Sequence, residues 1–142
     1  MKKAILLSAT ACLFSIGIAA KAANALEVPA AVKQSLAKKY PNATKVTWEK
    51  EKGNYEANWG GKSGEDISVT FTPKGDFVEE VDAISVNQLP LAVIEYVKTN
   101  YKGTKIKEAG RVTNAAGKKM FEAEIKGKDL LFDEKGKFIK ID

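Results

Sequence analysis

The sequence contains no histidine and a single cysteine, Cys12. Without an imidazole, Ser-His and Cys-His nucleophilic pairs have no proton acceptor, and zinc sites of the Cys/His kind have no ligands. One cysteine closes no intrachain disulfide, so stability has to come from burial and hydrogen bonding. The segment Gly60-Gly61-Lys62-Ser63 lacks the spacing of a phosphate-binding G-x-x-x-x-G-K-[ST] loop. Neither Asp133-x-x-Gly136 nor Gly60-Gly61-x-x-Gly64-Glu65-Asp66 supplies the alternating Asp/Asn ladder of an EF-hand. Basic residues are scattered rather than blocked together, so the net charge of +5 is no argument for nucleic acid. No metal and no cofactor is expected.

The chain opens with Lys2 and Lys3, continues uncharged from Ala4 to Ala20, and presents Ala23-Asn24-Ala25 before Leu26. A basic start, an apolar stretch and a small-x-small site together make a secretory signal peptide over residues 1–25. The uncharged run of 17 residues is shorter than the roughly 20 that span a bilayer. Cleavage removes Cys12 together with Lys2, Lys3 and Lys21, leaving 117 residues with 20 basic and 18 acidic side chains, a net charge of +2. A periplasmic or secreted protein without a membrane span follows.

The remainder is a duplication. Phe71-Thr72-Pro73-Lys74-Gly75-Asp76-Phe77 returns sixty-one residues later as Phe132-Asp133-Glu134-Lys135-Gly136-Lys137-Phe138. Both are hairpins turned by a Lys-Gly pair, the glycine supplying positive φ. At the same offset, Val28-Pro29 returns as Leu89-Pro90, and Val32, Leu36 and Tyr40 return as Val93, Val97 and Tyr101. Spacings of four predict one stripe of a helix in each copy, started by the proline and, in the first copy, stopped at Tyr40 by Pro41. Alternating strands are predicted at Val46–Glu49, Tyr55–Trp59 and Ile67–Phe71, with a fourth from Phe77. In the second copy they fall at Ile106–Val112, Met120–Ile125, Leu130–Phe132 and Phe138–Ile141. The adjacent Phe77 and Val78 leave the facing of the fourth strand open.

The predicted fold is therefore α+β: a tandem repeat of one helix plus a four-stranded antiparallel meander, residues 26–85 and 86–142, with the helices on one face of the sheet. An eight-stranded continuous sheet is the natural fusion of the two copies. The Val-Pro or Leu-Pro helix start, the helix-ending Tyr40 and Tyr101, and the Phe-x-x-x-Gly-x-Phe hairpins resemble the secreted PepSY-like domains of Bacteroidetes, whose fold is similar to that of the β-lactamase inhibitor protein. The resemblance covers nearly all of residues 26–142. It implies a periplasmic or secreted location, no established enzymatic activity and an inhibitory or binding role. The chain departs from the inhibitor in lacking disulfides, and no binding residue of that protein maps onto it.

Carboxylates are the remaining candidates for acid-base work. The pairs Glu65-Asp66, Glu79-Glu80 and Asp133-Glu134 are placed at turns or strand ends, where adjacent carboxylates are solvated rather than driven to opposed pKa values. Trp48 and Trp59 could stack a sugar or peptide. They share strand parity with Val46 and with Tyr55 and Ala57, which favours the core. The opposite parity carries Thr47, Glu49, Glu56, Asn58, Ser68 and Thr70, with Glu122 and Glu124 in the second copy. The expected function is non-enzymatic binding of another periplasmic or extracellular protein through this open face and the Gly60–Asp66 loop, with Glu56, Asn58, Thr70, Glu122 and Glu124 as binding residues. The alternative is a small ligand held between helices and sheet.

Overall fold

Pro29 and Pro90 bring the chain in extended, at φ −55° and −54°, and release it into α1 (Ala30–Lys39) and α2 (Leu91–Asn100). The computed structural model describes residues 26–142; the expected signal peptide, with Cys12, lies outside the described residues. Each helix ends on its tyrosine, with the Tyr40 N–H donating to Leu36 O and the Tyr101 N–H to Val97 O. Pro41 follows Tyr40, but Lys102 follows Tyr101 and the ending is the same. Proline is thus not what both ends share; tyrosine packing is. The Tyr40 ring lies 5.2 Å from that of Trp59 and its hydroxyl donates to Glu80. Tyr101 packs 6.5 Å from Tyr96 and under the Lys128 ammonium, 5.6 Å from its ring centre.

Eight strands form one antiparallel sheet in sequence order: β1 (Thr47–Glu51), β2 (Asn54–Trp59), β3 (Ile67–Phe71), β4 (Phe77–Ile84), β5 (Glu108–Asn114), β6 (Lys119–Ile125), β7 (Lys128–Asp133) and β8 (Phe138–Ile141). The halves join where β4 pairs with β5, from Glu79 opposite Asn114 to Ile84 opposite Ala109. Ala83 and Ile84 close β4, and the chain then passes through a 3₁₀ turn at Val86–Gln88 before α2.

Partners opposite one another in adjacent strands point to the same side of a sheet. One side thus carries Trp48, Ala57 and Val69 in the first half and Ala109, Ala123 and Leu130 in the second. Against the first set α1 buries Val32 and Leu36 with Tyr55, Trp59 and Phe71. Against the second α2 buries Val93 and Val97 with Ile125 and Phe132. Trp48 and Trp59 accordingly belong to the core.

The repeated hairpins match in detail. Each has a bulge at the equivalent step, Thr70/Phe71 and Leu131/Phe132. Gly75 (φ 88°) and Gly136 (φ 81°) occupy the turns. Positive φ is only half of their role, because both turns lie on a helix. A Cβ at Gly75 would stand 2.7 Å from Ala31 O, and one at Gly136 would stand 2.9 Å from Ala92 Cβ. Thr72 Oγ1 accepts the Asp76 N–H, and at the equivalent place Asp133 Oδ1 accepts the Lys135 and Lys137 N–H groups at 2.9 and 2.8 Å. Those bonds hold the Asp133 carboxyl below its usual range.

Candidate functional site

On the helix-free side the register collects the five expected residues. Glu56 stands opposite Glu49 on β1 and Thr70 on β3, and Asn58 stands opposite Thr47 and Ser68. Glu122 stands opposite Gly110 on β5 and Leu131 on β7, and Glu124 opposite Glu108 and Asp129. Glu56 and Glu122 hold equivalent places in the two halves: each is flanked on its strand by a buried alanine of the core side, Ala57 and Ala123.

This face is concave. The right-handed twist of a long antiparallel sheet coils it, and here the coil carries the β1–β2 turn round to the last residue, where Lys52 Nζ lies 3.3 Å from Asp142 Oδ1. The resulting hollow, of about 620 Å³, is lined by Glu56, Asn58, Thr70, Glu122 and Glu124. Joining them are Glu49, Glu51, Glu65, Glu79, Glu108, Asp129 and Asp142, against the two cations Lys52 and Lys140. Ten of the eighteen acidic residues of the chain therefore share one cavity. Of the Gly60–Asp66 loop, only Glu65 reaches it.

The pair Glu79-Glu80 does not sit at a strand end. It lies inside β4 and its members face opposite sides, Glu79 toward the hollow and Glu80 toward Tyr40. The bulge settles the open facing: Phe77 packs on the core, while Val78 lines the hollow beside Glu79. A second feature departs from a plain solvated face. Val112, Met120 and Leu131 are buried there with Val81 packed on them, a small apolar floor without a helix above it. Gly110 makes room for it, since a Cβ at that position would stand 2.5 Å from Val81 Cγ1.

Curvature changes the chemistry of the carboxylates. Glu56 and Glu122 are half-buried rather than free in solvent. Burial, followed by the side chain of Glu51, pushes the Glu56 carboxyl up to about 7. Burial, followed by the charges of Asp129 and Glu79, pushes Glu122 up to about 7. Glu79 and Asp129 are raised in the same way, burial first and then their acidic neighbours. Asp142 goes down, held by hydrogen bonds from Lys140 and Lys52. Asn58 is buried, and its Oδ1 accepts the Ser68 hydroxyl. Among the described residues no three acidic side chains converge as metal ligands would; the negative charge is spread over the face.

The space between helices and sheet is filled by side chains such as Val32, Val93 and Phe132, all with no exposed surface. A separate depression lies between α2 and the β7–β8 turn, where Tyr96 stacks on Phe138 at 4.8 Å.

The family model described as "Putative beta-lactamase-inhibitor-like, PepSY-like" matches residues 19–79 and again 60–140. The chain belongs to this PepSY-like family. A comparison with curated proteins finds no match. Solved structures share the fold. A "putative periplasmic" protein from Bacteroides eggerthii is 22% identical, with 82% of this chain and 89% of that one covered and a TM-score of 0.65. A DUF2874 family protein from Bacteroides uniformis gives the same values. A BLIP-like protein from Bacteroides fragilis is 24% identical over 82% of this chain and 86% of its own, with a TM-score of 0.57. At these identities the likeness is one of fold. Among the described residues no helix is long and apolar enough to cross a membrane.

Proposed function

We propose that this PepSY-like chain is a non-enzymatic periplasmic binding module whose concave sheet face takes a cationic, lysine- or arginine-rich segment of another protein. The reading is carried by one observation: a hollow of about 620 Å³ with ten carboxylates and two lysines, on the side of the sheet without helices. Charge of one sign on a concave wall focuses the field and steers an oppositely charged partner toward it. A rigid sheet also holds its side chains at fixed spacing, which limits the ordering cost of binding. The periplasmic part is supported by the export signal and by the description of the Bacteroides eggerthii protein.

Catalysis is disfavoured by the electrostatics. An acid and a base working together need environments that drive their pKa values apart, whereas Glu56 and Glu122 both rise to about 7. The filled helix–sheet interface speaks against a small ligand held there. Two repeats, 26–85 and 86–142, each contributing one central glutamate, make up the proposed site.

The test compares a fluorescent decalysine peptide with a decaglutamate of equal length by anisotropy at pH 8. The decalysine should bind and lose affinity steeply with added salt. The double charge reversal Glu56→Lys/Glu122→Lys should weaken it at least tenfold. Equal binding of both peptides, or of the reversed variant, would contradict the proposal.

A further inference from the structure

Glu56 and Glu122 occupy equivalent positions in the two halves, and each is hemmed in by acids. Around Glu56 stand Glu49 and Glu51 on β1, while β3 offers only the neutral Ser68 and Thr70. Around Glu122 stand Glu108 from β5, Asp129 from β7 and Glu124 on its own strand, with Glu79, Glu51 and Asp142 within reach of its charge. The cations of the hollow are engaged elsewhere: Lys52 with Glu51 and Asp142, and Lys140 with Asp142. Glu124 has Lys107 at 3.8 Å. Neither central glutamate has a salt-bridge partner among the described residues.

We infer that these two glutamates gate the hollow by protonation, so that a cationic segment is captured with release of protons and let go as the medium acidifies. The inference rests on the function proposed above and adds its regulation. An empty hollow keeps a share of its Glu56 and Glu122 side chains neutral near pH 7, because ionising them costs burial and repulsion. An ammonium or guanidinium group seated beside either one offsets the repulsion from its acidic neighbours and favours the charged form. Binding and proton loss are then linked, and the affinity follows pH across the range in which the empty site titrates. The sign is fixed: the carboxyls are neutral on the acid side, so the cation binds more weakly there. The lysines of a peptide stay charged throughout, with an ordinary pKa near 10.4.

The experiment measures decalysine affinity of the purified protein at pH 6 and pH 8 at fixed ionic strength, for the natural chain and for Glu56→Gln/Glu122→Gln. The natural protein should bind about tenfold or more weakly at pH 6, since each linked proton changes affinity up to about tenfold per pH unit. The double variant should bind more weakly than the natural chain at pH 8, with a pH dependence reduced to about twofold. Calorimetry in buffers of different ionisation enthalpy should show proton release only for the natural chain. Binding of equal strength at both pH values overturns the gate and leaves the cationic-partner reading standing. A pH dependence that survives undiminished in the double variant overturns it as well, and absence of binding at both pH values overturns the function and the gate together.

Discussion

At the scale of single residues, the raised pKa values of Glu56 and Glu122 bear on stability as well as on binding. A carboxyl whose folded pKa lies above its unfolded value binds more protons in the folded state between the two. Its contribution to stability is therefore complete below about 4.5 and is lost as pH rises through about 7. Thermal unfolding should accordingly show a Tm that declines from pH 5 to pH 8. Replacing either glutamate with glutamine should flatten that decline and raise stability at pH 8 by about 1 kcal/mol after allowance for solvent screening. A Tm unchanged by both substitutions at pH 8 would show that the two side chains are solvated. Tyr40 offers a second check. Burial and the neighbouring Glu80 carboxylate push its phenol up, and Tyr40→Phe, which strips Glu80 of its donor, should cost about 1 kcal/mol.

Among the elements, the hairpins that lie on the helices explain why the repeated motif keeps its glycine. Gly75→Ala and Gly136→Ala would each force a side chain into positive φ and into the helix beneath. Each should destabilise by about 2 kcal/mol or more, measurable by urea unfolding; a neutral result at either would mean that its turn does not rest on the helix. Leu36→Ala, which empties a packed core position, should cost about 2–4 kcal/mol. Helix stripes, strand alternation and turn glycines were legible because each is a local pattern of period 3.6 or 2. The same alternation placed Glu56, Asn58, Thr70, Glu122 and Glu124 on one face. Glu51, Glu79, Asp129 and Asp142 escaped it for two reasons. The bulge beside Phe77 breaks strict alternation at Glu79, and the coil that brings Asp142 to Lys52 is a property of eight strands together, written in no single one. The apolar floor of Val81, Val112, Met120 and Leu131 was illegible for a related reason, since it is buried by curvature rather than by a covering element.

For the whole molecule, the two hydrophobic clusters lie under separate helices but share an unbroken ladder of backbone hydrogen bonds through β4 and β5. The duplicated unit thereby becomes one curved wall rather than two independent beads. The placement of charge belongs to this scale too: residues 26–142, with 20 basic and 18 acidic side chains, gather ten of those eighteen carboxylates on the concave side. The most direct measurement of the central claim is an amide NMR map of the protein titrated with decalysine at pH 8. Shifts are expected on β2, β3, β6 and β7, around Glu56, Thr70, Glu122 and Asp129, with α1 and α2 unmoved. Shifts centred on the helices or on the turns at Gly75 and Gly136, with the concave face silent, would contradict that claim.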